Sequence, residues 1–321
     1  MRIFANADYP FLRWRFKAYA VAALLLALGV LAMVVNAVTT GSWLHYGVDF
    51  TGGTLVQVDF HSPVEAEDIR AVNPDWTSVT RFGEPGASEY VIRVPSFQSQ
   101  LNIDPASEVT TSLTRVFGEG SFQVIRTESV GPRVGAELQQ RALLAIVVSM
   151  IGTLIYLALR FEWRFGIAAI IGTAYDVLIS LGIIAVLRME VDVTTVAAFL
   201  TIVGYSLNDT IVVFDRIRDE VGRAPRGTRF IAIANRAINE TLPRTVITGG
   251  STMLTLLTLF LFGGAVIRDF ALVLILGIVI GTFTTVFIAS PVLVDIQGRW
   301  PRKAKSPASH GGSRKRASSS V

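Results

Sequence analysis

Two aspartates stand where a carboxyl is costly. Asp176 closes Gly172-Thr173-Ala174-Tyr175-Asp176 and Asp209 lies in Gly204-Tyr205-Ser206-Leu207-Asn208-Asp209-Thr210, each inside a long apolar run. A charge at the centre of a membrane helix costs about 2.5–3.5 kcal/mol on insertion scales, so such a group faces a bundle interior, finds a partner or holds a proton. At helical spacing Tyr205 and Ser206 precede Asp209 by four and three residues, which predicts two hydroxyls on its face, and Asn208 and Thr210 extend the polar stripe. Burial favours the neutral form of a carboxyl and a nearby guanidinium the charged form. A carboxyl whose arginine approaches and retreats would therefore load and release a proton. Arg244, at the start of the fifth apolar run, is a candidate partner for Asp209. It either turns inward to that carboxyl or snorkels toward lipid head groups. The plain alternative for both aspartates is structural, a hydrogen bond between neighbouring helices without transport. Asp215 and Asp295 fall at helix ends and read as boundary residues.

Other chemistry has little to work with. The chain has no cysteine and three scattered histidines, His45, His61 and His310, so neither a thiol nucleophile nor a conventional zinc centre is expected. No nucleophile elbow, phosphate-binding loop, zinc-protease helix or dinucleotide-binding glycine run occurs. Neither cofactor nor metal is expected, and hydrolytic chemistry is not expected either.

The elements that must hold the two carboxyls are membrane spans. Of 321 residues 51% are hydrophobic and 17% charged, against about 25% charged in soluble domains, which excludes a soluble enzyme. Spans need roughly 20 apolar residues, and six runs meet that ruler, near 18–38, 142–159, 167–187, 193–214, 245–262 and 269–294. The first follows Arg13, Arg15 and Lys17 as a signal peptide would, but its apolar run is too long for a cleaved one, so it reads as a retained helix. Twenty of the 29 Lys and Arg fall in the arm 1–17, the loops 160–166 and 215–244, and the tail from 295. That places both termini on the cytoplasmic side.

Between the first two spans lies segment 39–138, of domain size and acidic, which argues against nucleic acid as a partner. Its strands are expected at Thr54–His61, Ser78–Phe82, Glu89–Val94 and Ser121–Glu128. A turn is expected at Gly83–Gly86, and helices at 63–72 and from Asp104-Pro105 to Phe117. The βαββαβ order predicts a ferredoxin-like α+β sandwich. In loop 215–244 the spacing of Phe230, Ile233, Ala234, Ala237 and Ile238 predicts an amphipathic helix near 228–242 on the inner surface, ended by Pro243. Gly277 and Gly281 form a G-x-x-x-G in the sixth span. The basic tail 295–321 has the composition of a disordered segment.

Several runs carry a family resemblance. Gly47-Val48-Asp49-Phe50-Thr51-Gly52-Gly53-Thr54, Val130-Gly131-Pro132, Phe161-Glu162-Trp163-Arg164-Phe165, Gly204 to Arg218 and Asn235 to Gly250 resemble the SecF family of bacterial protein-export membrane proteins. The resemblance covers about residues 47–294. It implies a six-helix half of a resistance-nodulation-division type membrane domain in the inner membrane, paired with SecD, with its α+β domain in the periplasm. It also implies contact with the SecYEG translocon, possible association with YajC and YidC, and a translocating polypeptide as substrate. The family is understood to use the proton motive force to promote export after the ATP-driven step. An aspartate in its fourth helix and an arginine opening the fifth contribute to the proton path, which maps the role onto Asp209 and Arg244, with Asp176 a further candidate. Two alternatives stay open: a proton-coupled exporter of lipids or small molecules, and a non-transporting scaffold for SecD.

Overall fold

The structure is a computed structural model that describes residues 7–74, 76, 78–82, 88–94, 105–225 and 227–299. The expected turn at Gly83–Gly86, Asp104 ahead of its helix and the tail beyond 299 lie outside the described residues. Six helices are long and apolar enough to cross a membrane. They are α1 (Arg15–Thr40), α5 (Pro132–Arg160), α6 (Trp163–Leu187), α7 (Val193–Arg223), α8 (Phe230–Phe262), and α9 (Gly264–Thr284), the last continued by a π-helical turn, Thr285–Ala289, into α10 (Ser290–Arg299).

Local chemistry sets the ends. α1 stops at Gly41, whose φ of 77° is the left-handed cap conformation that glycine adopts without strain. α7 starts in a capping box, the Asp192 carboxylate accepting from the Thr195 amide at 2.6 Å. Helices α6, α7 and α9 form the centre of the bundle, whereas α1, α5 and α8 leave most of their apolar side chains exposed.

The bundle core has two apolar layers. One holds Phe165, Ala169, Phe214, Ile217, Ile238 and Leu293, the other Ile184, Phe199, Ile202, Leu256, Leu274 and Ile278. Between them runs a polar band of buried Asp176, Ser180, Ser206, Asp209, Thr210, Thr245, Thr284 and Thr285. Burial of polar groups is tolerable only where they hydrogen-bond one another, and most of these do.

The α+β domain contains β2 (Gly53–Phe60), α3 (Ala66–Val72), β3 (Ser78–Phe82), β4 (Glu89–Val94), α4 (Pro105–Phe117) and β5 (Phe122–Val130). The sheet order is β3-β4-β2-β5 with every pair antiparallel, the arrangement that two split β-α-β units produce. Alternate residues Val56, Val58 and Phe60 of β2 join Tyr90 and Ile92 of β4, Ile69 of α3 and Val109 and Leu113 of α4 in one core. The opposite sheet face, with Gln57 and Arg93, looks toward the bundle.

Several short elements escaped the pattern reading. A one-turn helix α2 (Val48–Thr51) precedes β2, and a short parallel ladder joins β1 (His45–Tyr46) to β6 (Glu190–Val191). Two-residue strands carry no periodicity from which to be read. One expectation is corrected. The amphipathic segment does not end at Pro243; it is the first half of α8, a continuous 33-residue helix with Pro243 inside it. Its apolar face, Ile233, Ala234, Ala237 and Ile238, packs on the extension of α7 at Phe214 and Ile217. Burial against a neighbouring helix outweighs the amide that proline removes.

Candidate functional site

The site begins at the polar band. Asp209, 8% exposed, accepts a hydrogen bond from the Thr245 hydroxyl at 2.7 Å through Oδ1, while Oδ2 has no hydrogen-bond partner among the described residues. Arg244 precedes Thr245 on α8. It lies near enough to act on the Asp209 carboxyl electrostatically, yet it is exposed and makes no ion pair with it among the described residues. Arg244 thus acts on Asp209 through its charge and not through an ion pair among the described residues.

The expected hydroxyl stripe is redistributed. Ser206 donates to Asp176 Oδ2 rather than to Asp209. Tyr205 reaches Thr252 at 3.5 Å, Thr210 pairs with Thr285 at 2.9 Å, and Asn208 is exposed. Helical spacing places residues on a shared face, but neighbouring helices decide which partner each side chain meets. Thr245, Thr284 and Thr285 were not legible as site residues, because a threonine in a span usually bonds to its own helix, as Thr248 and Thr258 do. Asp176 is fully buried and linked to the Asp209 helix through Ser206. Asp215 is held by Arg160 and Arg218, both at 3.0 Å, and Asp295 by Arg15 at 3.3 Å and Tyr19 at 3.0 Å.

The helix carrying Asp209 is tied to the α+β domain at its far end. The Asp49 carboxylate accepts from the Val193 amide at 3.1 Å, at the first turn of α7, where the helix dipole favours a negative group. The β1–β6 ladder continues into the Gly47 amide, which donates to the Val191 carbonyl at 2.9 Å. Arg93 of β4 forms an ion pair with Glu190, with Asp192 and Asp269 acting on the same guanidinium. These residues border a cavity of about 900 Å³ between the sheet face and the helix ends. On its rim the imidazole of His45 is pushed below its ordinary range by partial burial and by Arg93.

The paired glycines close this base. Gly52 has φ of 73°, and a Cβ there would lie 2.8 Å from Pro132 Cα; at Gly53 (φ 133°) it would lie 2.7 Å from the Val94 carbonyl oxygen. Only glycine brings the α2 turn so close to both α5 and β4.

Comparison with known proteins matches these parts. Residues 109–299 match the family described as protein export membrane protein SecD/SecF, C-terminal, and residues 38–64 match the SecD/SecF GG motif. The chain is 41% identical over 311 residues to protein translocase subunit SecF of Gemmatimonas aurantiaca, covering 94% of this chain and 91% of that protein. It is 36% identical over 297 residues to the subunit of the same name from Escherichia coli O157:H7, covering 90% and 88%. The crystal structure of SecDF from Thermus thermophilus, described as a translocon-associated membrane protein, superposes with a TM-score of 0.78 at 34% identity. That match covers 93% of this chain and 40% of the SecDF chain, so this chain spans about two fifths of its length. With six membrane-crossing helices, the paired-glycine base and relatives matched over nearly their full length, the chain is a multi-pass membrane protein that belongs to the SecF family of Sec protein-export translocase subunits.

Proposed function

We propose that this subunit uses the proton motive force, together with a SecD partner, to promote polypeptide export after the ATP-driven step. The observation that carries the reading is Asp209: a carboxyl inside the bundle, bonded through one oxygen to Thr245 and, among the described residues, unpartnered at the other, with the charge of Arg244 acting on it without an ion pair. A proton arriving at Oδ2 neutralises the group, and an approaching Arg244 favours its release. Asp176, which accepts from Ser206 on the helix that carries Asp209, is a further candidate for the proton path. Loading and release alter what α7 prefers to pack against, and Asp49, the β1–β6 ladder and the Arg93–Glu190 pair carry α7 motion to the α+β domain.

The available work is small. One charge crossing the membrane potential supplies about 2.3 kcal/mol per 100 mV, so several protons accompany each exported chain. The exposed apolar flanks of α1, α5 and α8 fit lipid and a second membrane subunit, SecD. The distribution of basic residues supports the bacterial inner membrane with both termini cytoplasmic and the α+β domain in the periplasm. The family resemblance supports contact with SecYEG and is compatible with YajC and YidC as further partners, and no hydrolytic step is part of the mechanism.

The test is gradient-dependent export of a reporter preprotein into membrane vesicles carrying this chain and SecD. Asp209→Asn and Arg244→Ala should assemble normally and lose the gradient-dependent component. Wild-type export by Asp209→Asn under a gradient would leave the subunit a scaffold.

A further inference from the structure

Where α1 and α8 begin, they border a second cavity together with α10, of about 460 Å³, within the size range of small-molecule sites. Arg15 and Phe16 line it from α1, Arg229 and Phe230 from the start of α8, and Asp295 and Gln297 from α10. The polar atoms of this lining are unevenly used. Asp295 has both oxygens engaged, Oδ1 by Arg15 at 3.3 Å and Oδ2 by the Tyr19 hydroxyl at 3.0 Å. Gln297 accepts from Arg164 at 2.6 Å. A guanidinium can only donate, so the amide oxygen is spent and the NH2 group is what remains. Arg229 is exposed and has neither an ion pair nor a side-chain hydrogen bond among the described residues. Acceptors are thus occupied and donors left over, which complements a ligand that brings acceptor oxygens.

Charge and shape narrow the ligand further. Two arginines against one aspartate leave the lining with an excess of positive charge, and arginine N–H groups match phosphate oxygens in pairs. Rings stand beside the donors. Phe16 is 68% exposed, with the Arg15 guanidinium 4.6 Å from its centroid, and Phe230 follows Arg229 in the lining. A molecule with both an anionic head and an apolar body fits this mixture, and the cavity lies at the ends of helices long and apolar enough to cross a membrane. The chain's own tail is not complementary, since residues 300–321 contain Lys and Arg and no Asp or Glu.

We propose that this cavity binds the phosphate of an anionic phospholipid, with Arg15, Arg229 and the Gln297 amide as donors and Phe16 and Phe230 against the glycerol and acyl part. A zwitterionic head group brings its own cation and leaves the positive excess of the lining uncompensated. The bound lipid ties the start of α8 to α1 and α10. The orientation proposed above assigns it to the cytoplasmic leaflet, whereas the binding itself depends on neither proton coupling nor export.

The test is native mass spectrometry of the full chain in detergent, titrated with phosphatidylglycerol, phosphatidylcholine or inorganic phosphate. Phosphatidylglycerol should bind about five- to tenfold more tightly than phosphatidylcholine, and inorganic phosphate at about tenfold excess should not displace it. Arg229→Gln should weaken phosphatidylglycerol binding about tenfold through loss of a charge-assisted hydrogen bond. Lys17→Gln removes an equal charge from an exposed residue outside the lining and should leave binding unchanged. Phe16→Ser, at an exposed position, should weaken binding as well. Equal affinity for the two lipids overturns the proposal. So does equal weakening by Arg229→Gln and Lys17→Gln, which would report surface charge and no site, or full affinity in both Arg229→Gln and Phe16→Ser. Displacement by inorganic phosphate would make this a free-anion site and overturn the lipid assignment. Failure here leaves the role of Asp209 to its own assay.

Discussion

Replacing Arg93 by Met should loosen the α+β domain from the bundle without unfolding it. Arg93 and Glu190 are only 14% and 22% exposed as side chains, and Asp192 and Asp269 lie close enough to act on the same guanidinium. Removing one partner of a fully buried pair costs about 3–5 kcal/mol, because the remaining charge stays buried and unpaired. Residual exposure at the cavity lowers this to about 2–3 kcal/mol. That corresponds to about a 30- to 150-fold shift toward the undocked state. Hydrogen exchange reads it directly. The Gly47 amide, bonded to Val191, should exchange faster by that factor, while amides of the domain core at Val56 and Val58 should not change. Arg93→Met/Glu190→Met should recover part of the protection, since the orphaned carboxylate is gone. Unchanged exchange at Gly47, or equal acceleration in the domain core, would refute the reasoning.

Three further outcomes are expected. Thr245→Val deletes the side-chain hydrogen bond to Asp209 seen among the described residues, worth about 1.5–3 kcal/mol when the acceptor is charged; gradient-dependent export should fall at normal expression, and Thr245→Ser should restore it. Gly281→Ala should cost about 1–3 kcal/mol through overpacking on Ser206 and lower the unfolding temperature, whereas Gly204→Ala, whose added carbon meets nothing within 4 Å, should not. His45 is held below its ordinary range, so the undocked form takes a proton first; the stabilisation it contributes is present above about pH 6.5 and is lost as pH falls further. His45→Gln should flatten that acid dependence of exchange at the β1–β6 ladder.

The spans, the strand-helix order of the domain and the two intramembrane carboxyls were legible in the sequence because each rests on local pattern: apolar length, alternation, or a charge where none is tolerated. What stayed hidden depends on contact between distant segments. Nothing near Asp49 in the chain marks it as a cap for α7, 144 residues away. Ser206 was readable as a polar neighbour of Asp209, yet α6 packs against α7 and Ser206 donates its hydrogen bond to Asp176. Pro243 misled for a related reason: proline predicts a helix end when only the helix is considered, and packing on α7 keeps α8 whole.

The five-residue π turn also acts as a phase shift. An α-helix advances about 100° per residue, and a π turn absorbs one extra residue, so α10 is rotated by roughly that angle from where an unbroken α9 would have placed it. The upstream half can therefore present Thr284 and Thr285 toward α6 and α7, while the downstream half presents Asp295 to Arg15 and Tyr19 of α1. A single-residue deletion between Thr285 and Ala289 would then behave as a rotation: one half of the span keeps its azimuth, and every contact from Ser290 onward turns away from α1.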